Sequence, residues 1–275
     1  MGTSASAKGP RPGSPLIPPW ADPAPDEVVP APAPEDDVPE DAAAPGSSAD
    51  NDPAAARPAT LNLLGFRRSL GNAVASGASG GFGRALGSYA RATGGGRTAA
   101  RRLGSPLRTG GRIHSLFGTR TATGPNGQTI TLASLDGLSV RVAVDRIVSA
   151  LVPLDGDRDK VAAALQDALS TALAGAETFD QNAITPDVLT DMMVIYLRDV
   201  IFQTVIADSG RAFQRTDDLQ QVARMERELL ALVGQVVNDQ ARSLLTGSSG
   251  LGEAQMVVLQ EQIVTEVWDV WESGL

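Results

Sequence analysis

The 275-residue chain carries 32 acidic and 23 basic residues for a net charge of −9, with no cysteine and one histidine. Those counts exclude a disulfide framework, a zinc knuckle and a thiol nucleophile, and they leave a serine triad with one candidate base. The charge is not spread evenly: residues 1–60 are net −7, residues 61–120 net +10 and residues 121–275 net −12.

Residues 1–60 hold 14 of the 18 prolines. Acidic, proline-rich sequence with almost no aromatic residues buries too little apolar surface to offset the entropy of ordering its backbone. This third is expected to be a disordered tail. Residues 61–120 combine ten arginines and 14 glycines with no carboxylate. A degenerate repeat runs through them, "RSLGNAVASG" at 68–77, "RALGSYARATG" at 84–94 and "RLGSPLRTG" at 102–110. Glycine opposes helix by roughly 1 kcal/mol per position relative to alanine, so this basic segment is expected to form short helical turns at most, ordered on a partner.

Between 126 and 144 two patterns compete. Asn126-Gly127 signals a tight turn, and Leu138, Val140, Val142 and Val144 alternate as a half-buried strand would, so a small hairpin stands beside a helical alternative. Helix signals then dominate. Residues 157–175 place Val161, Leu165, Leu169 and Ala172 at steps of three and four, ending at Gly175. Thr185-Pro186-Asp187 reads as an N-cap, a first-turn proline and a dipole-favouring acid. The apolar helix that follows, to about Ala207, is expected to be central. A third start at Thr216-Asp217-Asp218 leads into Val222, Met225, Leu229, Leu232 and Val236. The last helix carries Met256, Leu259, Ile263, Val267 and Val270 on one face, with Trp268 and Trp271 read as core or, if turned outward, as interface anchors. The fold class is mainly α: a C-terminal helical bundle over 121–275, preceded by the long disordered N-terminal and Gly/Arg-rich segments.

Little of this carries chemistry. His114 lies in the Gly/Arg segment and reads as an incidental basic-segment residue. Asp155, Asp157 and Asp159 imitate the start of a calcium loop but lack its glycine and its final acid, where Lys160 and Gln166 stand, so a solvated helix start is expected. No catalytic residue, metal site or cofactor is expected, and the chain is read as non-enzymatic. No apolar run reaches the length of a membrane span and no signal peptide is evident, which favours a cytoplasmic protein without a membrane partner. The arginines at 67, 68, 84, 91, 97, 101, 102, 108 and 112 are candidate phosphate or partner contacts. Phe66, Phe82, Tyr89 and Phe117 could stack on bases beside them. The alternative is that this block folds against an acidic partner or the chain's own acidic tail.

The opening "MGTSASAKGPRPGSPLIPPWAD" poses a separate question. A small second residue allows removal of the initiator methionine, exposing the Gly2 amine, whose reference pKa of about 7.7–8.0 leaves it partly neutral and nucleophilic. Gly2 with Ser6 also fits an N-myristoylation pattern, though the acidic tail behind it would repel an anionic membrane. This opening, the acidic linker and "FGRALGSYARATGGGRTAARRLGSPLRTGG" at 82–111 resemble the QatB component of bacterial Qat anti-phage defence systems. The resemblance implies a non-enzymatic adaptor encoded beside an ATPase (QatA), a QueC-like enzyme (QatC) and a TatD-like nuclease (QatD). QueC-like enzymes activate a 7-carboxy-7-deazaguanine with ATP. By analogy with related defence systems, Gly2 would be the acceptor of that acyl group, with Thr3 and Ser4 entering the enzyme's channel. Leu16, Ile17 and Trp20 would then form an apolar docking patch between prolines.

Overall fold

The computed structural model describes residues 61–274. Gly2, Thr3, Ser4, Leu16, Ile17 and Trp20, and the whole reading of residues 1–60, lie outside them. Helices α1 (Leu64–Ser76), α2 (Phe82–Ala92), α3 (Gly95–Arg102) and α4 (Gly104–Gly118) come first. A hairpin of β1 (Thr121–Thr123) and β2 (Thr129–Thr131) follows, then α5 (Val140–Leu151), α6 (Arg158–Ala172), α7 (Pro186–Ser209), α8 (Leu219–Leu245) and α9 (Glu253–Ser273).

The later helices begin where their caps predict. The Thr185 side chain accepts a hydrogen bond from the Val188 amide at 3.3 Å ahead of α7, and Asp218 accepts from the Gln220 and Gln221 amides at 2.9 and 3.1 Å ahead of α8. Such caps satisfy amides that have no partner inside the helix. The aspartates at 155, 157 and 159 stand at the start of α6, where Lys160 pairs with Asp157 at 2.7 Å. Among the described residues no cluster of acidic or histidine side chains is placed to hold a metal ion.

One expectation is corrected. Residues 61–120 are not short turns awaiting a partner: they form α1 to α4 and share one core, in one compact unit, with the rest of the described chain. Their glycines are what make this packing close. A Cβ on Gly87 would lie 2.8 Å from the Trp271 carbonyl oxygen, one on Gly96 2.6 Å from the Thr265 Cα, and one on Gly111 2.8 Å from the Glu253 carbonyl oxygen. On Gly110 it would meet the buried Gln260 side chain. The glycine stripe of α2, α3 and α4 therefore lets α9 lie nearly backbone to backbone against all three. Tertiary packing of this kind outweighs the helix propensity that glycine forfeits. Gly94 and Gly95, both at positive φ (83° and 76°), make the break between α2 and α3 that a side chain would resist.

The stretch 126–144, left open between hairpin and helix, contains both. Asn126-Gly127 does turn a hairpin, with Ala122 opposite Ile130, but its strands flank the turn closely and end at Thr131. The alternating Val140, Val142 and Val144 belong to helix α5, which buries Ala143, Val144, Ile147 and Leu151 at helical spacing and leaves Val142 exposed. Leu138 precedes that helix, and its carbonyl accepts from the Phe179 amide at 2.7 Å.

The core centres on α9. Trp268 and Trp271 are buried, as the core reading of them requires, and their rings stand 4.7 Å apart. Tyr89 of α2 lies 5.9 Å from the Trp268 ring and 4.7 Å from Phe66 of α1. The Trp268 indole N–H donates to the Thr93 hydroxyl at 2.9 Å, which satisfies a polar tip inside an apolar cluster.

Candidate functional site

Six of the nine arginines singled out from the sequence lie along α9 or at the end of α7. At one end Arg112 pairs with Glu253 at 3.4 Å. At the other, Arg91 donates to the Glu272 carbonyl at 3.4 Å. Between them Arg97 and Arg101 line a cleft against Val258, Glu261 and Thr265. Arg102 pairs with Asp208 at 2.9 Å, the same carboxylate that accepts the Tyr89 hydroxyl at 2.8 Å. Arg67 donates to the Asp208 carbonyl at 2.9 Å. Helix α9 carries five carboxylates and no basic residue. Part of the basic block is thus held by carboxylates and backbone carbonyls of α7 and α9; the acidic tail named above lies outside the described residues. Arg68, Arg84, Arg97, Arg101 and Arg108 are exposed and make no ion pair among the described residues.

The aromatic partners expected for base stacking are not available. Phe66, Phe82 and Tyr89 are fully buried and Phe117 nearly so, because each faces the core of its own helix. Burial raises the Tyr89 hydroxyl's pKa well above its usual value, and the Asp208 carboxylate beside it adds to the effect.

His114 is also corrected: it is not in flexible sequence but buried in α4, with Nε2 3.4 Å from the Ser248 hydroxyl. Burial holds its pKa below the ordinary histidine value. The cavity beside it, reached by Leu189, Met193 and Leu245, is only about 10 Å3. That is room for about one water molecule.

The feature that sequence reading missed is a groove of about 650 Å3 above α7. Helix α7 packs on both α6 and α8, which scarcely touch each other. Helices α7 and α8 run antiparallel: Arg242 pairs with Asp191 at 2.7 Å, while the Arg198 side chain lies over Gly234. Val188, Met192 and Ile195 form the floor, and Leu230, Ala231 and Gly234 the α8 wall. Arg198 bridges two carboxylates, Asp199 at 2.7 Å and Asp167 at 2.8 Å. Burial pushes the Asp199 carboxyl up to about 6, despite the opposing pull of the Arg198 guanidinium. Only the apolar periodicity of α7 hinted at this site; a groove between α6 and α8 depends on an interhelical gap.

Among the described residues no helix is long and apolar enough to cross a membrane. The described residues form a mainly helical body wrapped around α9, with an exposed arginine set on one part and an open groove on another. The family model described as Qat anti-phage system associated protein QatB matches residues 94–271, and the chain belongs to that family. Its role accordingly falls within the Qat anti-phage system, which has several components. The matched stretch takes in the chain from just before α3 to near the end of α9. It overlaps the basic block from 94 onward and does not include the N-terminal opening. No curated protein and no solved structure matches the chain.

Proposed function

We propose that this protein is a non-enzymatic adaptor and modification substrate of the Qat system, whose Gly2 amine, freed by methionine removal, accepts a 7-deazaguanine acyl group from the QueC-like component. The observation that carries this reading is the opening Met-Gly-Thr-Ser joined to a QatB-family helical body. An unobstructed primary amine at the end of a long acidic, proline-rich segment has the chemistry for acyl transfer. The lone pair of the amine attacks the carbonyl of the acyl adenylate, an amide forms, AMP leaves with the bonding pair, and the amine's surplus proton passes to solvent. Thr3 and Ser4 are small enough to follow Gly2 into a pocket, and Leu16, Ile17 and Trp20 supply the docking patch. QatC is the partner this chemistry requires; QatA and QatD are further partners within the same system, in the cytoplasm.

Mass spectrometry of the intact protein and its N-terminal peptide tests the proposal, with the protein expressed alone and beside the other components. The expected result is an added deazaguanine acyl group on Gly2 only when the QueC-like component is present, and none in Gly2→Pro. An unmodified Gly2 in cells that the system protects overturns it. Trp20→Ala should weaken binding to the QueC-like component, and unchanged affinity would remove the docking role.

A second reading, nucleic-acid binding, is favoured by the exposed Arg68, Arg84, Arg97, Arg101 and Arg108. It requires phosphate contacts without aromatic stacking, hence binding that falls steeply with salt and shows little base preference. No affinity of the full chain for short DNA or RNA at low salt would exclude it.

A further inference from the structure

We propose that the groove over α7 seats an amphipathic helix of a partner protein, apolar side chains on the α7 floor and carboxylates along the arginine edge. This is independent of the Gly2 reading. A helix apolar nearly all round is normally enclosed on every side; α6, α8 and α4 pack on α7, yet the side between α6 and α8 stays open. Val188 on the floor and Leu230 on the wall are half-buried and stand outside the core. The site lacks one helix to complete the bundle.

Its dimensions fit that occupant. The α8 positions along it run from Arg227 to Arg242, and 15 residues at about 1.5 Å each span about 22 Å, four helical turns. Ala172, Ala231 and Gly234 keep the walls low, so that an incoming helix can approach the floor closely, as ridges enter grooves between helices.

Charge selects the partner's chemistry. Residues 121–275 hold 22 acidic and 10 basic side chains, and three of those ten line this one groove beside a single carboxylate, Asp191: Arg198 is held by Asp199 and Asp167, which leaves Arg227 and Arg242 to set the charge of its edge. Arg227 hydrogen-bonds only the Ala223 carbonyl of its own helix. The Arg242 pair with Asp191 has both side chains more than half exposed, and pairs of that kind contribute about 0–1 kcal/mol, so the guanidinium can turn to an incoming carboxylate. A protein is favoured over a nucleic acid because the lining has an aliphatic floor and no aromatic side chain on which a base could stack. Recognition of an apolar helix face by a groove, with charge setting partner and register, is a recurrent mode.

The test uses the full chain with the photo-cross-linker p-benzoylphenylalanine in place of Ala231, co-expressed with the other components of the system, and sequencing of the cross-linked peptide. The expected product is one segment of another protein, with apolar residues at three-four spacing and Asp and Glu outnumbering Lys and Arg. Arg227→Glu and Leu230→Glu should each lower the yield about fivefold, the effect of roughly 1 kcal/mol at the rim, without moving the chain's urea midpoint. Cross-links to a second copy of this chain, to a basic segment or to nucleic acid would overturn the proposal, as would no cross-link or a yield that neither substitution changes. None of these outcomes depends on the mass of the Gly2 peptide, so the two proposals fail separately.

Discussion

Replacing Gly96 with alanine asks whether the glycines of α2 to α4 are a packing device or only composition. An added Cβ would stand 2.6 Å from the Thr265 Cα and 2.8 Å from its carbonyl oxygen, whereas carbon atoms rest about 3.5–4.0 Å apart. The obstruction is backbone in mid-α9, so relief requires the helix to recede by about 1 Å from α3 and loosen its contacts with α2 and α4. Overpacking of this size costs about 1–3 kcal/mol. Against it stands the helix propensity alanine gains over glycine, at most about 1 kcal/mol, reduced here because Gly96 is in the first turn of α3. The expected net effect is a loss of about 1–2 kcal/mol. Gly104→Ala supplies the control: its Cβ would meet only the flexible end of Arg108 at 3.4 Å, and stability should be unchanged or raised by up to about 1 kcal/mol. Urea unfolding followed by tryptophan fluorescence reads both, since Trp268 and Trp271 are buried on the helix that must move. A Gly96→Ala protein as stable as the parent would refute the close-packing account.

Further outcomes follow from the same contacts. Tyr89→Phe removes a hydroxyl that donates to the Asp208 carboxylate and should cost about 1.5–3 kcal/mol, the range for hydrogen bonds to charged groups; a loss below about 0.5 kcal/mol would show the bond to be idle. Thr93→Val leaves the buried Trp268 N–H without its acceptor and should cost about 1–3 kcal/mol, with a change in the tryptophan emission. Asp199, pushed up to about 6 from an ordinary 3.8 by burial, holds its proton more tightly folded than unfolded. Its contribution to stability is therefore fully present below about pH 4 and is lost as pH rises through about 6. Asp199→Asn cannot lose that contribution, so its stability relative to the parent should rise from pH 4 to pH 7 and then level, and a difference independent of pH would contradict the assignment.

Much of the helical part was legible before any coordinates. Thr185-Pro186-Asp187 and Asp218 announce α7 and α8 because a helix start needs local acceptors for its first amides, and that need is met within a few residues of sequence. The spacing of Val161, Leu165 and Leu169 announces α6 for a similarly local reason, the helix repeat. Asn126-Gly127 marks its turn through backbone freedom alone. What failed was local reading of features whose meaning is not local. The alternation of Val140, Val142 and Val144 fits a strand as a fragment, but the burial of Ile147 and Leu151 against other elements makes it part of a helix. Of the candidate site, the arginines were found as a class, while their attachment to Glu253, Asp208 and the C-terminal end of α9 was not, since those partners lie about a hundred or more residues away in the chain.

The sequence by itself determined the mainly helical class, the caps of α7 and α8, the periods of α6 to α9, and the uneven charge, because each depends on neighbours within one or two turns. Only the tertiary structure decided that the Gly/Arg segment folds, and that a groove stays open over α7. Glycine lowers the stability of an isolated helix, and that cost is all a local reading registers. Its return comes when another helix is brought against the bare backbone, and that second helix, α9, lies more than 140 residues further along the chain than Gly111.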